Sequence, residues 1–318
     1  MAKQTLCILG GTGFVGRHLV RALHDEGHAI RVLTRRRERH RELLVLPRVT
    51  LHEVDVYDPQ ALAAAFTGCT AVVNLVGILN EKGRDGSGFE RAHVTLPERV
   101  VEACGAAGVH RLLHMSALNA DPEGPSHYLR TKGRGEALVH AAHGESLAVT
   151  SFRPSVIFGP GDGLFCRFAG LLALGPVFPL ACARARFAPV WVEDVVHCFV
   201  RALDDKATHG ERYELCGPEV WTLHQIVEYT ARQAGMNRLI IPLGEDLSNL
   251  QGWVMEWIPG KPFSRDNVAS TRVDSVCTGP FPARFEREPA TIEQVVPSYL
   301  GPRQKNPRYN RFRTHARR

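Results

Sequence analysis

The chain has few marks of a cross-linked or metal-bound fold. Its 318 residues include eight cysteines, and no two of them form a CxxC pair. They stand singly, mostly within apolar stretches, at positions 7, 69, 104, 166, 182, 198, 216 and 277. The 15 histidines include no HExxH motif. We therefore expect reduced, buried thiols, as in a cytoplasmic protein, and no metal site.

Long hydrophobic runs are also missing. The uncharged run over residues 168–183 has 16 residues and two prolines, so it is too short and too broken to span a bilayer. The N-terminal residues lead directly into an apolar strand pattern, and we expect no cleavable signal peptide. The uncharged run is expected to be buried or to face the substrate.

Acidic residues are absent from the end of the chain. Residues 301–318 contain seven Lys/Arg and no acid, which leaves 32 basic and 33 acidic residues elsewhere. The net charge of +6 therefore belongs to this segment and does not indicate a nucleic-acid-binding face. We predict that the segment is disordered. It is either a solubilising end or a contact with an anionic membrane surface or an acidic partner.

Short apolar runs alternate with helical patterns over residues 1–160. The predicted strands, such as TLCILG and AVVNLVG, are almost wholly apolar, as in a parallel sheet covered on both faces. The sequence therefore predicts an α/β fold of the Rossmann type, with a doubly wound parallel sheet. Glycine and proline become frequent afterwards, and residues 161–300 are predicted to form a smaller α+β lobe that partly returns to the main sheet.

GGTGFVG follows the first predicted strand and opens the first helix. Its glycine spacing allows a tight turn, and it lets the backbone approach a pyrophosphate at the positive end of the helix. We predict a dinucleotide site here. Its expected contacts are Gly10, Thr12, Gly13, Phe14, Val15, Gly16 and Arg17.

An acidic residue is missing at the end of the second strand, where NAD-preferring sites carry one for the ribose hydroxyls. The chain has Arg35 and Arg36 there. A guanidinium can pair bidentately with a 2′-phosphate, so the sequence favours NADP(H) over NAD(H). The alternative is a solvated basic face, which is the expected role of Arg39 and Arg41.

Further cofactor contacts are predicted where later strands end, because ligands of parallel sheets bind outside the carboxyl ends of the strands. A carboxylate after the third strand can take the adenine amino group, and backbone after the fourth can line the nucleotide. The residues at these places are Asp55, Val56, Asn74, Val76 and Gly77.

Tyr128 and Lys132 share one face of a predicted helix, and Ser116 ends the strand before it. In a hydride-transfer site, the ammonium group and an oxidised nicotinamide would lower the pKa of the phenol, which then transfers a proton. Ser116 would hydrogen-bond the developing oxyanion, and Lys132 would also hold the nicotinamide ribose. Taken alone, a Tyr-x-x-x-Lys pair is common by chance.

Together these segments resemble the short-chain dehydrogenases/reductases of the extended or atypical type, the epimerase/dehydratase-like branch. The resemblance covers residues 4–300 through GGTGFVG, HMSAL, YLRTK, SFRPSVIFGPGD, FAPVWVEDVV and YELCGP. NLVGIL, YLRTKGRGE and YELCGPEVWTL are most similar to bacterial relatives of the nucleotide-binding accessory subunit of respiratory complex I. This implies tight NADPH binding and a link to ubiquinone or respiratory-chain assembly. It also places Pro154, Ser155 and Val156 beside the nicotinamide carboxamide.

One position departs from the family pattern. Extended members carry an asparagine where this chain has His93, in HVTLP. Either the histidine relays protons in its place or it fills space beside the helix start. Pro97 indicates a displaced or kinked helix start, with Thr95 and Glu98 able to form a capping box.

Two functions stay open from the sequence. The first is an NADP(H)-dependent oxidoreductase or epimerase/dehydratase that acts at a carbonyl or alcohol carbon of an unknown small molecule, for which the uncharged run favours an apolar class. The second is a non-catalytic, NADPH-holding accessory subunit or assembly factor of a respiratory complex, peripheral to the inner face of a membrane. The complete Ser/Tyr/Lys set slightly favours the enzyme.

Two predictions concern the smaller lobe. Asp194 is expected to cap a helix. Trp191, Trp253 and Trp257 are expected to be core or lobe-packing residues.

Overall fold

The computed structural model describes residues 3–259 and 261–300, so the basic end of the chain lies outside the described residues. The strands are Thr5–Leu9 (β1), Ala29–Thr34 (β2), Val49–Glu53 (β3), Ala71–Asn74 (β4), Arg111–Met115 (β5), Ala148–Pro154 (β6), Ile157–Phe158 (β7), Val177–Leu180 (β8), Arg186–Phe187 (β9), Val190–Trp191 (β10), Arg212–Leu215 (β11), Trp221–Thr222 (β12) and Leu239–Pro242 (β13).

The α-helices are Phe14–Asp25 (α1), Arg41–Leu44 (α2), Pro59–Phe66 (α3), Ser87–Glu90 (α4), Leu96–Ala107 (α5), His127–Ala141 (α6), Phe165–Leu172 (α7), Val192–Ala202 (α8), Leu223–Gln233 (α9), Glu245–Met255 (α10), Arg265–Ser270 (α11) and Ile292–Leu300 (α12). A π-helical turn, Arg91–Thr95, joins α4 to α5. Over the described ranges, no helix combines the length and the apolar character needed to cross a membrane.

Seven strands form the main sheet, in the order β11-β6-β5-β4-β1-β2-β3. All of their pairings are parallel. The strand order reverses between β1 and β4, and such a reversal opens a crevice at the carboxyl ends of the strands. The predicted Rossmann-type parallel sheet is confirmed.

Apolar layers cover both faces of this sheet. Leu6 and Ile8 of β1 pack with α1 and α8 on one face, whereas Cys7 and Leu9 pack with α3 and α5 on the other. Successive side chains of a strand point to opposite faces, so a strand buried on both faces must be apolar at every position. This is why the sequence of the first 160 residues indicated the sheet so clearly.

Residues 161–300, the predicted smaller lobe, contribute β11 and α8 to the main sheet and its covering layer. Asp194, in the first turn of α8, is fully buried; its carboxylate accepts hydrogen bonds from Arg287 Nε at 2.7 Å and from the Ala290 N–H at 2.8 Å. The prediction of a helix cap was wrong. Asp194 instead fastens the segment before α12 onto α8, because that segment covers the start of the helix.

One pair of cysteines corrects the prediction of eight reduced thiols. Cys216, directly after β11, forms a disulfide with Cys277, 61 residues away. The bond holds the segment around Ser275 close to the end of β6, where Ser155 Oγ donates a hydrogen bond to Ser275 O at 2.7 Å. The pairing depends on the return of β11 to the main sheet, which cysteine spacing does not reveal.

Candidate active site

The loop between β1 and α1 is shaped for close approach of a ligand. Gly10 has a φ of +77°, which disfavours any side chain, and its carbonyl accepts the Gly13 N–H at 2.9 Å. A Cβ at Gly16 would lie 2.2 Å from Gly10 O, so α1 packs directly on the loop. No side chain of the described residues caps the start of α1. Its first amide groups can therefore bind an anion.

A cleft of about 770 Å³ lies between this loop and the ends of β2, β3 and β4. It brings together eight of the predicted cofactor contacts: Gly10, Thr12, Gly13, Arg35, Arg36, Val56, Val76 and Gly77. Sequence reasoning missed other lining residues, among them Arg39, His40, Tyr57 and Ile78. Tyr57 follows Val56 and Ile78 follows Gly77, both predicted contacts, and this closeness in sequence could have identified them.

Three guanidinium groups line the cleft after β2. Arg35, Arg36 and Arg39 are exposed, and among the described residues they form no ion pair. Arg41 instead pairs with Glu38 at 3.3 Å. Arg39 is exposed, as expected for a solvated face, and it also lines the cleft, because the 3₁₀ turn over Arg37–Arg39 carries it back there.

Several predicted contacts lie outside the lining of this cleft. Phe14, Val15, Gly16 and Arg17 belong to α1, and Arg17 lies 4.0 Å from Glu42. Asp55 is exposed, and its carboxylate accepts the Tyr57 N–H at 3.0 Å. This contact orients Tyr57 at the cleft wall.

The remaining outlying contacts support the backbone around the site. Asn74 is buried; its side-chain oxygen accepts the Val76 N–H at 3.1 Å, and its amide nitrogen lies 3.3 Å from His114 Nδ1. Pro154 ends β6, and Ser155 and Val156 follow it. These residues lie at the carboxyl edge of the sheet but not in the cleft lining.

Lys132 and Tyr128 lie outside the cleft lining, and Lys132 lies directly behind Gly77, which lines the cleft. The Lys132 side chain is buried, and Nζ donates a hydrogen bond to Met115 O at 3.1 Å. A Cβ at Gly77 would lie only 3.1 Å from this Nζ. Burial lowers the pKa of Lys132 to about 8, while the negative charge of Glu136 acts in the opposite direction. The ammonium group is thus placed against backbone that a ligand would touch.

Tyr128 precedes Lys132 by one helical turn, and aromatic rings fix its position. Its ring packs edge-on against His93 and Phe89, with centroid distances of 5.5 and 6.2 Å. Burial raises the pKa of Tyr128 to about 12, with no offset from Lys132, and the lowering predicted for a bound oxidised nicotinamide stays a prediction. The phenol therefore stays protonated at neutral pH and can act as a proton donor.

Ser116 is engaged by a carboxylate that sequence reasoning missed. Its Oγ donates to Glu136 Oε2 at 2.8 Å, and Glu136, also buried, accepts from Arg153 Nε at 2.9 Å. Arg212 Nε lies 3.2 Å from the same carboxylate. A serine hydroxyl has a single proton, so Ser116 faces the site as an acceptor, which differs from the predicted oxyanion donor.

Glu136 had a sequence signal. It follows Tyr128 by eight residues and Lys132 by four, so all three lie on one face of α6. Its carboxylate balances the two arginines and the buried Lys132 ammonium.

Both ring nitrogens of His93 are occupied. Nε2 accepts the Ile78 N–H at 3.1 Å, and Nδ1 lies 3.0 Å from Thr131 Oγ1. Accepting at Nε2 places the proton of a neutral ring on Nδ1. Burial, with a smaller effect of Lys132, lowers the pKa of His93 to about 2. These contacts favour the space-filling alternative, in which the histidine connects the backbone of the cleft to α6.

The π-helical turn around His93 replaces the predicted capping box, which was wrong. Thr95 has helical dihedral angles and makes no side-chain cap, since the helix continues from α4 into α5. Pro97 has no N–H to donate to the carbonyl four residues earlier, that of His93. A Cβ at Gly135 would lie 1.7 Å from this carbonyl oxygen. The turn and α6 therefore pack backbone against backbone.

The smaller lobe holds the start of α6. Ser126 Oγ accepts the Leu129 N–H at 3.1 Å, and Asp266 of α11 accepts the N–H groups of His127 and Tyr128 at 2.6 and 3.2 Å. Carboxylates at a helix N-terminus are stabilising. Tyr128 is thus positioned from both parts of the protein.

We expect Lys132 to make stability rise with pH above pH 8. Its pKa is about 8 in the folded protein and 10.5 in the unfolded chain, so the unfolded state binds more protons between these values. The destabilising effect is complete below pH 8 and is lost as the pH rises. Urea unfolding of wild type and Lys132→Met should show a difference that changes by about 2 kcal/mol between pH 8 and 10.

Lys206→Met is the matched control, since Lys206 is exposed. Its difference from wild type should not vary over the same pH range. A constant difference for Lys132→Met would contradict the lowered pKa.

Known proteins share the sequence pattern of this chain. The family model described as NAD dependent epimerase/dehydratase family matches residues 6–216. The mitochondrial 40 kDa subunit of NADH-ubiquinone oxidoreductase from Neurospora crassa is 30% identical over 236 residues, 73% of this chain and 61% of that protein. A ceramide reductase of Caulobacter vibrioides is 36% identical over 196 residues, 61% of this chain and 59% of that protein. The chain thus spans about six tenths of the length of these relatives.

A solved structure shares the fold. The dTDP-glucose 4,6-dehydratase DesIV of Streptomyces venezuelae, a double mutant crystallised with NAD, has a TM-score of 0.71 and 19% identity over 93% of this chain and 95% of that chain. The family match includes the glycine loop, the cleft and the whole of α6. On this evidence, the chain belongs to the NAD-dependent epimerase/dehydratase family.

Proposed function

We propose that the protein is an NADP(H)-dependent oxidoreductase, which transfers a hydride to or from a carbonyl or alcohol carbon, alone or within an epimerisation or dehydration. The observation that carries the cofactor assignment is the wall formed by Arg35, Arg36 and Arg39. Within the described residues, no carboxylate lines the cleft beside them. Guanidinium groups without an acid match a 2′-phosphate better than a free ribose hydroxyl.

A bound dinucleotide would supply or accept the hydride. The residues of the chain perform the other tasks. The glycine loop and the start of α1 bind the pyrophosphate, and Lys132 holds the nicotinamide ribose. Tyr128 donates a proton to the substrate oxygen, because its phenol is protonated at neutral pH. The donor role makes carbonyl reduction the proposed direction, with an apolar substrate.

A second candidate function is a subunit or assembly factor that holds NADPH without turnover. Internal hydrogen bonds support it, because Ser116 donates to Glu136 and both His93 nitrogens contact Ile78 and Thr131. Of Ser116, His93 and Tyr128, only Tyr128 then stays a candidate proton donor. The similarity to a subunit of NADH-ubiquinone oxidoreductase adds to this support. We propose for this case a contact with a respiratory complex, a link to ubiquinone, and a cytoplasmic location peripheral to the membrane.

Nucleotide titration tests the cofactor assignment. Wild type should bind NADPH about thirtyfold more tightly than NADH, since a charge-assisted contact contributes about 2 kcal/mol. Arg35→Ala and Arg36→Ala should each narrow this gap, measured by nicotinamide fluorescence. Arg41→Ala, whose side chain pairs with Glu38 outside the cleft, should leave it unchanged. Equal affinities of wild type for the two nucleotides would refute the NADP(H) preference.

The rate of NADPH release separates the two candidate functions. Release within seconds on chase with unlabelled nucleotide supports an enzyme, and release over hours supports a structural nucleotide. Tyr128→Phe should keep NADPH affinity in both cases. Loss of ketone or aldehyde reduction in this variant, where wild type reduces a substrate, would assign Tyr128 as the proton donor.

A further inference from the structure

The outer face of the smaller lobe is unusually apolar. Six large side chains of α10 and the turn after it are between 42% and 64% exposed: Leu247, Leu250, Trp253, Val254, Trp257 and Ile258. Residues three, four and seven apart lie on one face of a helix, so Leu247, Leu250 and Val254 form a stripe that Trp257 continues. Trp253 is 45% exposed, so the prediction that it packs in a core or between lobes was wrong, whereas Trp257, although 64% exposed, contacts Arg84 of the larger domain.

Strands β8 and β13 extend this face. Val177 pairs with Leu239 and Pro179 with Ile241, and all four side chains are exposed. Gln251 of α10 donates from Nε2 to Pro179 O at 3.1 Å, so the helix lies beside the strands. Contiguous apolar surface of this kind is rare on monomeric soluble proteins and marks an interaction site.

Cations border the apolar face at the C-terminal end of α10. The Arg84 guanidinium lies 4.0 Å above the Trp257 ring, and Lys261 Nζ donates to Lys82 O at 2.8 Å. Glu256, the acid at this end, is buried and pairs with Arg265 at 3.2 Å and with Arg84 at 3.8 Å. Exposed acids of α10, Glu245 and Asp246, lie at its opposite end.

The sequence carries more positive charge directly after the last helix. Residues 301–318 follow α12 directly and carry seven Lys/Arg and no acid. A second copy of the chain would offer this border the two exposed acids of α10, Glu245 and Asp246, and would bring the same cations with them. An anionic lipid surface offers both an apolar interior and negative charge.

We propose that the apolar face of α10, β8 and β13 docks on an anionic lipid bilayer. The two tryptophans lie at the level of the headgroups, where indole rings are favoured, and the leucines enter the acyl boundary. Arg84 and Lys261 contact the anionic headgroups.

Vesicle flotation of the full-length protein tests the proposal. Vesicles of phosphatidylcholine with phosphatidylglycerol should bind the wild type, with a blue shift of tryptophan emission, and vesicles of phosphatidylcholine alone should bind it less. The double variant Leu250→Asp/Trp257→Asp should bind at least about tenfold more weakly, because it loses two inserted side chains. The control is Val45→Asp, an apolar residue just before β3 that is 77% exposed and does not belong to the apolar face. This variant should bind vesicles like wild type.

Several outcomes would overturn the proposal. These are an absence of binding to anionic vesicles, equal binding by the double variant and wild type, or equal binding to both kinds of vesicle. Sedimentation velocity tests whether a second copy of the chain binds the face instead. If the wild type forms a dimer and binds no vesicles, and the double variant is a monomer, the face is a dimer interface. An unfolding temperature of the double variant equal to that of the wild type shows that the variant is folded.

Discussion

Gly16→Ala is expected to lower NADPH affinity by at least about a hundredfold, since a displacement of about 1 Å at a binding site can cost that much. The new Cβ would lie 2.2 Å from Gly10 O and 2.5 Å from Gly11 Cα. Both are backbone atoms, so the loop must move away from α1. This movement separates the loop amides from the start of the helix, and the pyrophosphate needs both. Fluorescence titration with NADPH measures the loss.

Gly105→Ala is the matched control for this prediction. Gly105 lies in α5, and a Cβ there would meet no atom of the described residues within 4 Å. The variant should bind NADPH like wild type and be more stable by about 0.5–1 kcal/mol, because alanine favours the helix. Wild-type affinity in Gly16→Ala would show that the glycine loop does not hold the nucleotide, and the proposed function would fail with it.

Gly135→Ala is expected to reduce the free energy of unfolding by about 3 kcal/mol, the upper part of the range for overpacked sites. Its Cβ would lie 1.7 Å from the His93 carbonyl oxygen. The π-helical turn and α6 must move apart, because this oxygen is a backbone atom and cannot rotate away as a side chain could. Urea unfolding followed by circular dichroism measures the change. NADPH affinity should fall as well, since α6 carries Lys132.

Gly170→Ala provides the comparison within a helix of the smaller lobe. Gly170 lies in α7, and an alanine Cβ at this position would have none of the described atoms within 4 Å, so the change should be neutral or stabilising. Gly135→Ala is thus expected to lower the free energy of unfolding, and Gly170→Ala is not. A Gly135→Ala protein as stable as wild type would mean that α6 is not held against the turn, and Tyr128 and Lys132 would then be positioned by other contacts.

The buried polar groups around α6 define how the site can work. Glu136 holds Ser116 and two arginines, and His93 holds Ile78 and Thr131. These contacts are internal, and they position Tyr128 and Lys132 without competing for a ligand. The same arrangement serves a working proton donor and a permanently bound nucleotide. Release of NADPH is therefore the measurement that distinguishes the two candidate functions.

The sequence by itself determined the main sheet and the position of the cleft. Strands buried on both faces are apolar at every position, and local periodicity records this directly. The glycine spacing, the arginines after β2 and the residues after β4 also lie next to strand ends, so their meeting at one edge follows from parallel pairing. Asp58 caps α3 by accepting the N–H groups of Gln60 and Ala61, and such a cap is a local contact that depends only on neighbouring residues.

The tertiary structure alone decided the contacts between distant segments. Cys216 and Cys277 meet because β11 returns to the sheet, and Asp194 meets Arg287 because the C-terminal segment crosses α8. The engagement of Ser116 by Glu136 and the exposure of Trp257 likewise depend on which elements pack together. Periodicity reports the environment of a residue on its own element, whereas these partners are set by the packing of elements far apart in the chain.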